Sequence, residues 1–311
     1  MNKRILITGG SGTLGGNLAK ILSDFYDVYA TYYENSFKMS KVKTFKLNII
    51  NKKEVIEKIE IINPKIIIHC AAMTYITACE RMPELAFEVN VEGTQNICNA
   101  AKLISAKVIY ISTDHVFDGR SGYYSEYDVP NPINIYGKTK YLGEALIRES
   151  NLDYNIIRTC FYGFDIVNMS KYNFIMNLID RLRRKKKVRA YKDIYFSPIF
   201  INNLVEAIME LCFRRINGIF HIAADERISH YDFVNLVADV FQLDHKLIKE
   251  DEFKNHRWSK LRGLDLSLNI DKAKKILKTR LLGIKSNLEF MKKLYDSNYY
   301  LEHSPIYYFL K

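Results

Sequence analysis

The sequence has only five cysteines in 311 residues: Cys70, Cys79, Cys98, Cys160 and Cys212, an odd number with no C-x-x-C pair. That scarcity excludes a disulfide framework or a thiolate zinc site, and a reducing, cytoplasmic setting is expected. Long apolar runs are missing too. The start, MNKRILITGG, is broken by Thr8 and two glycines before it reaches the length of a secretory apolar region. No segment approaches the roughly 20 residues of a membrane span, so no membrane partner is expected. Carboxylates with metal-ligand spacing are absent, and no metal is assigned. Low-complexity linkers and internal repeats, which would mark a clean domain boundary, are lacking as well.

Positive charge, by contrast, is plentiful: 46 Lys and Arg against 35 Asp and Glu, a formal net charge of +11. Such a surface attracts polyanions. Its densest run, RLRRKKKVR from Arg181 to Arg189, follows the apolar-periodic YNFIMNLIDRL, and cations are favoured at a helix C-terminus. The run reads as a solvated helix end, and no nucleic-acid partner is expected.

In the first half, short apolar runs alternate with helical patterns. KRILIT, DVYATYY, VKTFKLN, KIIIHCAA, AKVIYIST and YNIIRT read as strands. TLGGNLAKILSDF, NKKEVIEKIEIINP, PELAFEVNVEGTQNICNAAKLI and NIYGKTKYLGEALIRES read as helices. Continuous buried strands separated by helices predict an α/β fold with a doubly wound parallel sheet. In the second half KVRAY, FINNLVEAIMELCF and GIFHIAA read as continuations of that sheet, with SHYDFVNLVADVFQL and DKAKKIL as helices of a smaller cap. The expected division is a dinucleotide-binding core over 1–160, returning to the sheet near 188–224, and an interleaved cap over 161–187 and 225–311.

The chemistry begins at TGGSGTLGG. Gly9, Gly12 and Gly15 follow a strand and open a helix, where the lack of side chains lets a pyrophosphate approach the helix N-terminus. The strand that should meet the adenosine ribose, DVYATYY, ends in no Asp and is followed by no immediate Arg, which leaves NAD and NADP open. With Lys38 within reach of a 2′-phosphate, NADP(H) is preferred to NAD(H).

Further along, YISTDHVFDG delivers Ser112 and Thr113 to a strand end, the edge at which ligands of open α/β sheets bind. In YGKTK, Tyr136 and Lys140 lie four residues apart on one helix face. A tyrosine whose pKa is lowered by a neighbouring cation is a feasible proton donor. Alone the pair is unspecific. Its weight comes from following a glycine loop and a hydroxyl-bearing strand end in that order.

Together TGGSGTLG, HCAA, NVEGTQN, STDHVFDG and YGKTK resemble the extended short-chain dehydrogenase/reductase family. Within it the chain is similar to the dTDP-4-dehydrorhamnose reductase branch, which also includes the regulatory β subunit of methionine adenosyltransferase. DIYFSPIFINNLVEAI, GIFHIAADERISHYDFVNLVADVF and LRGLDLSLN extend the resemblance over nearly the whole chain. It implies a catalytic Thr113, Tyr136 and Lys140. It also implies a cofactor site of Gly9, Gly12, Thr13, Leu14, Gly15, Asn48, Ile49, Ala71, Ala72 and Asn90 together with the catalytic Tyr136 and Lys140. The substrate side would comprise Asp114, His115, Phe161 and Arg262.

The implied reaction is NAD(P)H-dependent reduction of a nucleotide-linked 4-keto-6-deoxy sugar, with Tyr136 as proton donor. The resemblance also allows a nucleotide-sugar epimerase or dehydratase. A third option is an NADP-binding regulatory subunit without turnover, docking through the aromatic tail YYLEHSPIYYFLK. Homodimers and monomers both occur among such relatives. Departures from the branch pattern are His115 for Tyr, RTCFYG for a Ser-Trp pattern, Gly263 for the Pro after Arg, and Asn48 for Asp. His115 reads equally as a substrate contact or a structural residue. Arg262 reads equally as a diphosphate ligand or one half of an interlobe salt bridge.

Overall fold

The computed structural model describes residues 4–167 and 173–297. The aromatic tail from Tyr299 onward lies outside the described residues.

The chain opens with β1 (Arg4–Thr8), α1 (Thr13–Leu22), β2 (Asp27–Tyr32), β3 (Val42–Lys46), α2 (Lys52–Ile62) and β4 (Ile66–His69). Next come α3 (Ile76–Arg81), α4 (Pro83–Phe87), a π-helical turn (Glu88–Glu92), α5 (Gly93–Leu103), β5 (Lys107–Ile111), α6 (Ile135–Arg148) and β6 (Tyr154–Arg158). The remainder is β7 (Phe161–Tyr162), α7 (Phe174–Arg183), β8 (Val188–Tyr191), β9 (Tyr195–Phe196), β10 (Ile199–Phe200), α8 (Ile201–Phe213), β11 (Gly218–His221), β12 (Ile228–Ser229), α9 (His230–Phe241), β13 (Ile248–Asp251), α10 (Asp271–Ile276) and α11 (Ile284–Asp296).

Seven strands form one sheet in the order β11-β6-β5-β4-β1-β2-β3, every pair parallel. The order reverses between β1 and β4, so the glycine loop and the loop after β4 flank one crevice at the carboxyl ends. Strand periodicity sorts the apolar side chains onto two faces. Ile5 and Ile7 of β1, Ile66 and Ile68 of β4 and Ile109 of β5 join a core that continues through α1 and α8 into α7, α9 and α11. Leu6, Ile67, Val108 and Tyr110 face the other core, closed by Val55 and Ile59 of α2, Ile97 of α5 and Ile147 of α6. Burial on both faces is why these strands read as continuous apolar runs.

Two readings are corrected here. KVRAY forms β8 but pairs in parallel with β13 outside the central sheet, Ile248 opposite Val188. Its alternating burial, with Arg189 exposed between Val188 and Ala190, is that of a half-solvated strand. The long helix PELAFEVNVEGTQNICNAAKLI carries the π-helical turn around Asn90, a distortion often found at functional sites. Among the described residues no helix is long and apolar enough to cross a membrane.

Candidate active site

Backbone sterics shape the glycine loop. Gly9 adopts φ +68, and a Cβ there would sit 2.8 Å from the Ala71 backbone; one on Gly15 would sit 2.3 Å from Gly9 O. Close approach of loop, helix and neighbouring strand therefore requires both glycines. Gly12 is the N-cap of α1 and offers no capping side chain, which leaves the first-turn N–H groups open to an anion. Leu14 is buried in the core below, and the Thr13 hydroxyl donates to Asp165 Oδ2 at 3.1 Å.

Across the crevice, a buried hydrogen-bond chain supports the loop containing Ala71 and Ala72. The Ala71 N–H donates to Thr8 Oγ1 (3.2 Å), which lies 2.6 Å from His69 Nδ1; His69 Nε2 lies 3.1 Å from Thr94 Oγ1. Thr94 gives its hydroxyl proton to Asn90 O (2.7 Å), so Nε2 is the protonated ring nitrogen and Nδ1 accepts from Thr8. Burial lowers the His69 pKa to about 3, which keeps the ring neutral. Asn90 commits its amide to Met73 N (2.8 Å), Met73 O (3.0 Å) and Thr139 Oγ1 (2.9 Å), bracing that loop against α6. At the far rim Asn48 Oδ1 accepts from Ile50 N, and the Ile49 carbonyl accepts from Asn96.

The opposite wall is α6. Asn134 caps it through Oδ1 to Gly137 N (2.7 Å), while its amide donates to Leu261 O (2.9 Å), tying the helix start to the segment before Arg262. Glu80 of α3 accepts from Ile135 N at 2.6 Å. This doubly anchored start brings Tyr136 beside Thr113 at the end of β5. Burial pushes the Tyr136 phenol well above its ordinary value, and a hydrogen bond with Thr113 pulls back against it. The tuning expected from Lys140 is thus not the largest effect on the tyrosine. Lys140 itself is 3% exposed, and burial lowers its pKa to about 7.

On the cap side the Thr113 hydroxyl donates to Asp114 Oδ1 (2.9 Å) and accepts from His115 N (3.2 Å). The His115 ring meets Tyr136 edge-on at 5.9 Å, and burial lowers its pKa to about 4, which makes it a neutral imidazole. Phe161, on β7, is half-buried against the core next to Cys160, whose thiol is pushed up by burial and by the neighbouring Asp114. The positive field of Arg262 reaches His115, Cys160 and His230. Its Nε is buried with no hydrogen-bond partner, and among the described residues its guanidinium joins no ion pair. Among the described residues Arg262 therefore forms no interlobe salt bridge. Gly263 is explained by space, because a Cβ there would fall 2.5 Å from Asp118 O.

The family described as RmlD substrate binding domain matches residues 3–295. The chain belongs to that family. The RmlD-family chain is 31% identical over 252 residues to methionine adenosyltransferase 2 subunit beta of Mus musculus, covering 78% of this chain and 73% of that protein. To the dTDP-4-dehydrorhamnose reductase of Aggregatibacter actinomycetemcomitans it is 30% identical over 245 residues, covering 76% and 78%. The structure of dTDP-4-dehydrorhamnose reductase from Bacillus anthracis in complex with NADP superposes with a TM-score of 0.83 and 28% identity, over 94% of this chain and 99% of that one.

Sequence reasoning missed the groups behind this site. Glu144, one further turn along the Tyr136–Lys140 stripe, is fully buried. It accepts from Ser112 Oγ (2.5 Å), Arg158 Nε (3.0 Å) and an Arg158 terminal nitrogen (2.7 Å). The available signal was a carboxylate spaced i, i+4 from Lys140 on a helix face that must be buried.

Proposed function

We propose that this chain is an NADPH-dependent reductase of a nucleotide-linked 4-keto-6-deoxy sugar, of the dTDP-4-dehydrorhamnose class. The observation that carries it is Tyr136 beside Thr113 at the sheet edge, with Lys140 one turn along the same helix, between an uncapped glycine-loop helix and Arg262, which joins no ion pair among the described residues. The reductase relatives support the reaction class, and the NADP-bound relative supports the cofactor. So does the absence of an acidic residue at the end of β2, where Thr31 and Tyr32 stand and Lys38 is exposed on the following loop. The proposed division of labour puts the cofactor on residues 1–160 and the sugar against 161–187 and 225–311. A reducing cytoplasm suits the five free thiols.

Gly9, Gly12 and Gly15 would hold the pyrophosphate, Ala71 and Ala72 would pass along the cofactor, and Lys140 would take the nicotinamide ribose. When bound, NADPH supplies the hydride for the carbonyl carbon. The chain supplies the rest. Thr113 orients the keto oxygen, and Tyr136 gives its proton to that oxygen as charge develops, so one hydride and one proton turn ketone into alcohol. His115 and Phe161 border the sugar, and Arg262 pairs with the diphosphate.

The test is NADPH oxidation with dTDP-, UDP-, GDP- and CDP-linked 4-keto-6-deoxy sugars. Turnover with one of them is expected. NADPH binding without turnover across the panel, together with co-purification of another enzyme, would replace the reductase by a regulatory subunit.

Two variants sharpen the assignment. Arg262→Ala is expected to raise KM for the sugar nucleotide about 10- to 100-fold, the value of one or two lost charge-assisted hydrogen bonds, with kcat within a few-fold. An unchanged KM would remove Arg262 from the site. Gly15→Ala is expected to weaken NADPH binding at least about tenfold in a fluorescence titration, because helix and loop must part to admit the methyl group.

A further inference from the structure

Lys140 is a buried cation without a carboxylate partner. Among the described residues no Asp or Glu lies within ion-pairing distance of its ammonium, and the nearest helical carboxylate, Glu144, is already engaged by Arg158 and Ser112. What lies against the ammonium is an aromatic face. Lys140 Nζ sits 3.9 Å from the ring centroid of Tyr110, whose side chain is 0% exposed on β5. An ammonium that has lost its water is attracted to the negative face of an aromatic ring, and the attraction is strongest where both are desolvated. The same tyrosine grips the other end of the residue, its hydroxyl donating to Lys140 O at 3.3 Å. α6 is shaped to receive it, for a Cβ on Gly143 would lie 2.2 Å from the Tyr110 hydroxyl.

We propose that Tyr110 is a positioning residue for the reaction: its ring face carries the Lys140 ammonium and its hydroxyl carries the Lys140 carbonyl, holding the lysine at both ends. This rests on the reading of Lys140 as the catalytic lysine. Tyr110 touches neither cofactor nor sugar. Its phenol is pushed well above the ordinary value, chiefly by burial, so it stays neutral and acts through its ring and as a donor. The other groups facing the ammonium are His69, which is neutral, Cys70, whose thiol burial pushes up to about 12, and, on its own helix, Glu144. Neither His69 nor Cys70 supplies a full countercharge, and Glu144, whose field reaches the ammonium, is ion-paired to Arg158.

The sign of the effect follows. Burial already lowers the Lys140 pKa to about 7 against the opposing field of Glu144, and the ring face at 3.9 Å adds to that opposition by stabilising the charged form. Withdrawing the ring's electron density lowers the lysine pKa further. Activity that needs the ammonium is present below that pKa and lost as pH rises through it, so the alkaline limb moves to lower pH.

The experiment places Phe, 4-fluoro-Phe and 3,5-difluoro-Phe at position 110 in the full chain, nearly constant in volume, alongside Tyr110→Leu. The Lys140 ammonium is titrated by NMR on 15N-lysine-labelled protein, its signal assigned by its loss in Lys140→Met. The expected result is a stepwise fall along the fluorinated series, totalling about half to one pH unit. Tyr110→Phe should stay close to the wild type, and the alkaline limb of kcat/KM should move in parallel. An unchanged lysine titration across the series would overturn the proposal, as would an equal loss of activity at every pH. The titration is read without turnover. A moving lysine in a chain that reduces no sugar would therefore uphold the platform and sink the reductase, whereas turnover with a fixed lysine would do the reverse.

Discussion

Tyr136→Phe is expected to lower kcat by about 10²- to 10⁴-fold, the range for losing a positioned general acid, with NADPH affinity within a few-fold of the wild type. The phenol is the group that Thr113 and the doubly anchored start of α6 bring to the sheet edge, and burial keeps its proton in place through the physiological range. Phe preserves the ring that packs edge-on to His115 and removes only the transferable proton. Stopped-flow single turnovers at saturating NADPH separate the chemical step from product release. Because Tyr136 holds its proton far into the alkaline range, the alkaline limb of the wild-type kcat/KM profile is expected near pH 7, from Lys140. Activity is present below that value and lost above it. A variant retaining more than about a tenth of wild-type kcat would transfer the proton donation to another group.

The second large effect is on stability. Glu144→Ala is expected to destabilise the chain by about 3–5 kcal/mol, the range for removing one partner of a buried ion pair, measured by equilibrium urea denaturation. The loss leaves Arg158, itself 1% exposed, with His221 Nε2 at 3.5 Å and the face of Phe117 as its remaining company, and it orphans the Ser112 hydroxyl. Neither replaces a carboxylate. Glu144→Leu combined with Arg158→Met is expected to recover most of the loss, since two apolar side chains bury no charge. If the double variant were as unstable as Glu144→Ala, packing around α6 and β6 would be the cause instead of the unpaired guanidinium.

Much of the glycine-loop side was legible in advance because its signals are local. Gly9, Gly12 and Gly15 stand within seven residues, and the φ of +68 at Gly9 and the 2.3 Å approach of a Gly15 Cβ to Gly9 O are demands set within the loop itself. The Tyr136–Lys140 pair was equally visible, since four residues along a helix always share a face. The cap was harder. KVRAY has the β-branched and aromatic content of a core strand, yet its partner is β13, sixty residues onward, and no feature of the five residues points to that strand. The π-helical turn at Asn90 escaped for a related reason. Its amide must reach Met73 and Thr139, and that demand exists only once the loop and α6 are in place.

By itself, then, the sequence determined the alternation of strand and helix, the glycine turn and the order of hydroxyl, tyrosine and lysine, because apolar periodicity and backbone sterics act over a few residues. Tertiary structure alone decided which charges are paired. Glu144 found Arg158, Lys140 found the face of Tyr110, and Arg262 has no ion-pair partner among the described residues. The interaction of buried charges depends on distance and desolvation, and both are set only when segments far apart in the chain close around them.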